Sequence, residues 1–158
     1  MNRYPHRLTP RTSILSYTDD RYPSPRLVNK GTKTMDNMFE TGLAKRKATL
    51  GAEYVDGVFE NADEFSKPFQ EAMTAWCWGF GWGDDAIDAK TRSMMNLAMI
   101  GALGKMHEWE LHCRGAIGNG VTKEELRAIV HVIGIYCGVP QAMECLRSAK
   151  KVLAEEGL

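Results

Sequence analysis

The sequence has no C-x-x-C pair, no strand-like alternation of useful length, and no apolar run near the ~20 residues that span a bilayer. Each absence excludes a class. Without paired thiols there is no disulfide framework, no zinc-finger spacing and no dithiol redox motif. Cys77, Cys113, Cys137 and Cys145 read instead as free thiols of a reducing compartment. Without a long apolar run there is no membrane-spanning helix. The N-terminus also lacks the continuous apolar core of a signal peptide, so the expected location is cytoplasmic. Excess charge is missing too, since 20 Lys and Arg balance 20 Asp and Glu.

That balance hides a division. Residues 1–34 carry seven basic and two acidic side chains, whereas residues 35–158 carry 13 and 18. An acidic body argues against nucleic acid as a partner, because phosphate binding needs a basic face. The first 34 residues also hold four of the six prolines and show no sustained period. The expectation is a disordered or non-native N-terminal extension on a single domain, 35–158, with Met35 as an alternative start. A chain of 158 residues buries roughly two-thirds of its unfolded surface, enough to fold without metal or disulfide.

What is present reads as helix, and the expected fold is all-α, a compact bundle of about six helices. Asp36 suits the cap of a first helix that ends near Gly51 and turns Phe39, Leu43 and Leu50 inward. "AEYVDGVFENAD" reads as a connection. A second helix carries Phe65, Phe69, Met73 and Trp76 at spacings of four, four and three, an apolar stripe of the kind that usually meets a core, and runs out at the glycines of "WGFGWGDD". Asp88 caps a third, whose nearly continuous apolar run from Met94 to Leu103 suggests burial on most sides. A fourth stops at Asn119-Gly120. Thr122 and Glu125 form a capping box for a fifth, with Leu126, Ile129, Val130 and Ile133 in one stripe. Gly138 ends it, and Pro140 suits the first turn of a sixth.

The chemistry-bearing residues concentrate in "KMHEWELHCRGAIGNGVTKEEL", residues 105–126. His107 and His112 are five apart, so their rings diverge and do not form the H-E-x-x-H zinc pattern; no metal is expected. Cys113 points about 100° away from His112 on a helix and has no resolving partner nearby. Cys77, between two tryptophans, reads as a packed hydrophobe. Glu108 and His112, four apart, share a face. Spacing alone leaves them open between a proton-handling pair and an ordinary helix pair.

The wider sequence narrows that choice. "GAEYVDG", "FQEAMTAWCWG", "TRSMMNLAMIGAL", "HEWELHCRGAIGNGVTKEEL" and "IYCGVPQAMECLRSAKKV" follow one another over residues 40–153. Within them stand H-x-R-x-A-x-x-N-G-V-T from His112 to Thr122 and Y-C-G-V-P from Tyr136 to Pro140. This series resembles the carboxymuconolactone decarboxylase family, in its γ-carboxymuconolactone decarboxylase branch. The resemblance implies a small all-helical fold, assembly into a homohexamer, and cofactor-free loss of CO2 from a small dicarboxylate lactone. A related branch uses a C-x-x-C followed by a histidine. That histidine falls on His112 here, and the two thiol positions are Lys105 and Glu108, which makes peroxidase chemistry inconsistent with the pattern.

On this resemblance the expected catalytic residues are His112 as proton donor and Glu108 as its orienting partner. The lactone itself would be the electron sink. Arg92 and Arg114 are expected to hold carboxylates, since a planar guanidinium grips them bidentately. Trp82, with Trp78 and Trp109, is expected to supply apolar walls. His107 and His131 read as structural.

Overall fold

A computed structural model describes residues 35–158, and its described residues form seven helices and no strand. The expectations for residues 1–34 and for the Asp36 side chain fall outside the described residues. Helix α1 spans Met35–Leu50, α2 Ala52–Glu60 and α3 Lys67–Met73. Helix α3 continues without a break as a π-helical segment, Thr74–Gly81. Then follow α4 (Ala89–Ala102), α5 (Met106–Gly118), α6 (Lys123–Cys137) and α7 (Val139–Glu155). No described helix is long and apolar enough to cross a membrane.

Local signals set most boundaries. Gly51 takes φ 92°, a left-handed value that ends α1 and that glycine adopts freely. Asp88 accepts a hydrogen bond from the Thr91 amide at 2.9 Å and caps α4. Thr122 and Glu125 bond reciprocally at the start of α6, satisfying two amides that would otherwise lack partners. Gly138, at φ 95°, separates α6 from α7, and Pro140 sits in the first turn of α7.

The core belongs to α4–α7. Leu97, Trp109, Leu126, Ile133 and Val152 are buried there, together with Cys113 and Cys145. Trp109 is fully enclosed, and its indole N–H donates to the Leu97 carbonyl at 3.1 Å. It is therefore a core residue and not a wall for substrate.

The N-terminal half departs from expectation in three places. The supposed connection 52–60 is helix α2, held to α1 by the edge-on pair Phe39–Phe59. Phe65, Phe69 and Trp76 do not face inward. They are 92%, 69% and 62% exposed. Helical spacing was right, but spacing does not say which body a face meets. Finally, the glycines of "WGFGWG" do not stop the helix. They widen it, with the Trp82 amide bonded to the Cys77 carbonyl five residues back at 2.9 Å. The reason is close packing. A Cβ on Gly79 would stand 1.8 Å from the Met38 carbonyl oxygen, and one on Gly42 would stand 2.1 Å from that of Thr74. The backbones of α1 and the π segment touch there, and only glycine permits it.

Helix α4 is likewise less enclosed than its apolar run suggested. Leu97 and Gly101 are buried, but Met95, Met99 and Leu103 are exposed.

Candidate active site

Helix α5 presents two faces. Trp109, Cys113 and Ala116 enter the core, while His112 turns toward α4 and the π segment. Burial pushes the Cys113 thiol up to about 12, so it is neither a thiolate nor a nucleophile near neutral pH. The angular separation of His112 from Cys113 is as expected from the helix.

His112 lies at a groove of about 400 Å³, whose other lining residues include Met73, Cys77, Trp78, Trp82, Arg92 and Asn96. Trp78 lies nearly parallel to the imidazole, with ring centroids 6.0 Å apart and planes inclined by 11°. Trp82 stacks on Trp78 at 4.7 Å. The widened π segment supplies both Cys77 and Trp78. Cys77 is exposed at this groove and is not the packed hydrophobe its tryptophan neighbours suggested.

The imidazole is fixed from α4. Asn96 Nδ2 is 3.0 Å from His112 Nδ1. With the amide nitrogen donating, Nδ1 accepts, and the proton of the neutral ring sits on Nε2. Burial lowers the His112 pKa from its ordinary value. Glu108 acts in the opposite sense, and Arg46 adds to the lowering. The ligand-free surroundings of His112 thus favour the neutral ring.

The other expected residues fall in different places. Glu108 stands one turn before His112 on the exposed side of α5. It makes no hydrogen bond to the imidazole and bears on it only as a nearby negative charge. Arg92 lines the groove, but its guanidinium also clasps the loop that follows the π segment. It donates to the carbonyl of Gly81 at 2.8 Å, that of Ile87 at 3.1 Å, and that of Asp84. Trp82 lines the groove. Arg114 lines a separate cavity with Tyr54, His107, Glu110 and Lys151, and pairs with Glu155. Within one chain the structure therefore gathers His112, Arg92 and Trp82, but not Arg114. Asn96 was missed. Its signal was a lone amide inside the apolar run "MMNLAMIGAL".

Comparison with known proteins supplies the family. Residues 67–151 match the model of the carboxymuconolactone decarboxylase family. The chain is 40% identical over 116 residues to nitrosuccinic acid decarboxylase npaB of Metarhizium robertsii, covering 73% of this chain and 81% of that protein. It is 30% identical over 123 residues to 4-carboxymuconolactone decarboxylase of Acinetobacter baylyi, covering 78% of this chain and 92% of that one.

Proposed function

Because the chain belongs to the carboxymuconolactone decarboxylase family, we propose that it removes CO2 from a small dicarboxylate without a cofactor, using His112 to deliver the replacing proton. The observation that carries this reading is the His112 ring, oriented by Asn96 at the edge of an apolar, tryptophan-walled groove.

The chemistry needs three things. The carbon–carboxylate bond must break, leaving its electron pair on the substrate. A neighbouring acceptor group must hold that pair. A proton must then reach carbon, so that R–COO⁻ and H⁺ become R–H and CO2. Apolar walls favour the first step, because a carboxylate stripped of water is less stable than departing neutral CO2. The substrate supplies the acceptor. His112, once protonated, supplies the proton.

Two substrates fit this scheme. In 4-carboxymuconolactone the acceptor is the lactone carbonyl, reached through the ring double bond, and the product is 3-oxoadipate enol-lactone of protocatechuate degradation. In nitrosuccinate the acceptor is the nitro group. The lactone is the substrate that the sequence motifs imply, whereas the higher identity to the nitrosuccinic acid decarboxylase favours the second reading. Incubating the protein with freshly prepared samples of each acid and following CO2 release separates them. Release from neither acid would remove both.

The same reading includes a homo-oligomer, a hexamer as the family resemblance implies. Its support is the exposed apolar surface of one chain, including Met95, Met99 and Leu103 on α4 and Ile135, Tyr136 and Val139 at the α6–α7 corner.

A further inference from the structure

Arg46, on α1, has surroundings unlike those of any other described cation. It is only 4% exposed, and no carboxylate pairs with it among the described residues. Nη1 donates to Gln70 Oε1 at 3.1 Å and to Thr74 Oγ1 at 3.0 Å. Nε is buried with no partner, and Nη2 bonds to none of the described residues. The guanidinium lies 5.8 Å from the centre of the Phe59 ring. The titratable groups that bear on it are Tyr54 and Cys77, a phenol and a thiol.

A buried cation with half its fork unbonded is expensive to keep. A purely structural arginine would be paired or replaced by an apolar side chain of like volume. This one stands behind the wall of the groove and is not one of the residues that line it. Its bonded partner Thr74 opens the π segment between Met73 and Cys77, which both line the groove, and its charge is felt at His112. The edge left unbonded among the described residues, Nε with Nη2, is the side on which a guanidinium takes a carboxylate in two parallel hydrogen bonds.

We infer that Arg46 is the anion receptor of the His112 groove, and that its unneutralised guanidinium takes up the negative charge of a carboxylate bound there. The inference rests on the proposed reading of the groove as a dicarboxylate site. It adds a consequence for the proton. The charged and titratable groups around the imidazole are Glu108 on its own helix, Arg46 from α1, Arg92 from α4 and Cys77 from the π segment. An anion that neutralises Arg46 removes one of the influences that keep His112 neutral. Substrate binding thereby shifts the proton donor toward its charged form.

Glutarate, a saturated dicarboxylate that cannot decarboxylate by this route, is the probe. Calorimetric titration of the full chain should show binding that the uncharged glutaramide does not compete with. Arg46→Met should weaken it about tenfold or more, the loss expected for a charge-assisted pair. Arg46→Lys keeps the charge and should lose less, and Arg147→Met, at an exposed ion pair, should lose nothing. Should Arg46→Met fail to fold, the wild-type chain still decides. The His112 ring, followed by NMR, should titrate at higher pH with glutarate bound than without. Absent glutarate binding, Arg46→Met binding as wild type does, Arg147→Met losing as much, or an unmoved His112 titration would each overturn the inference. Glutarate binding through Arg46 without CO2 release from either acid would sink the substrate reading alone. CO2 release with Arg46→Met unaffected would sink the receptor alone.

Discussion

Asn96 Nδ2 lies 3.0 Å from His112 Nδ1, joining the middle of α4 to the middle of α5 across the wall of the groove. Such a bond chooses the tautomer and fixes the plane of the ring. Asn96→Leu should therefore lower kcat about tenfold to a hundredfold with little change in KM, as losing the partner that orients a functional histidine commonly does. Steady-state kinetics on the accepted acid, with circular dichroism to confirm folding, checks this. An unchanged kcat would show that the ring needs no anchor.

Replacing the imidazole tests the proton directly. His112→Gln should cost ~10²–10⁴-fold in turnover, the usual worth of a positioned general acid. Glu108→Gln should cost less, since Glu108 makes no hydrogen bond to the ring and contributes only charge. The two losses should not add in the double variant, because both act on one proton transfer. Wild-type rates in a folded His112→Gln chain would return α5 to an ordinary amphipathic helix.

The pH profile follows from the same charges. Burial sets the free-protein His112 pKa below its ordinary value, and the acid must be protonated to act. The profile of kcat/KM, which reports the free enzyme, should fall as pH rises through that lowered value. Glu108→Gln removes a negative charge that favours the imidazolium, so the falling limb should move to lower pH. Arg46→Lys keeps the positive charge and should leave it nearly in place. A limb that moves upward in Glu108→Gln would contradict the assignment.

How much of this was legible in the sequence depended on whether the determinant was local. The Thr122–Glu125 box and the Asp88 cap are satisfied by partners three residues away, the Gly138–Pro140 break lies within three positions, and each stands where the sequence put it. The stripe Leu126, Ile129, Val130 and Ile133 is buried as its period required. Helix α2 was hidden because it is only nine residues long and carries Gly57 in its middle. Arg46 gave no sign at all. Its burial comes from the packing of α1 on the π segment, 28 residues away in the chain. The family motif pointed to His112 as a candidate, but only the fold shows that its hydrogen-bond partner is Asn96 and not Glu108.

Assembly is checked by mass. Met99, Leu103, Ile135, Tyr136 and Val139 are all exposed on one chain, and large exposed apolar patches commonly mark contacts between proteins. Light scattering at micromolar concentration should report a multiple of 17.7 kDa, six-fold for the expected ring. Tyr136→Lys together with Ile135→Lys should shift the mass downward if this corner is buried between copies. A wild-type monomer would dismiss the oligomer.

Gly79 carries the last prediction, because it links the fold to the site. It sits in the π segment against Met38, where any Cβ would meet a backbone oxygen at 1.8 Å. Backbone atoms cannot swing aside as a flexible side chain can, so Gly79→Ala must push α1 and the π segment apart. Overpacking of this kind costs about 1–3 kcal/mol, more where the neighbour is rigid. Trp78 is the preceding residue and stacks on His112, so the same displacement should loosen the groove wall and reduce turnover. Gly57→Ala is the contrast. It lies within α2 with nothing inside 4 Å of a new Cβ, and should stabilise by up to ~1 kcal/mol through helix propensity. Thermal melts of the two variants should therefore move in opposite directions, with activity lost only in Gly79→Ala. Equal melting temperatures would mean that α1 and the π segment do not meet backbone to backbone.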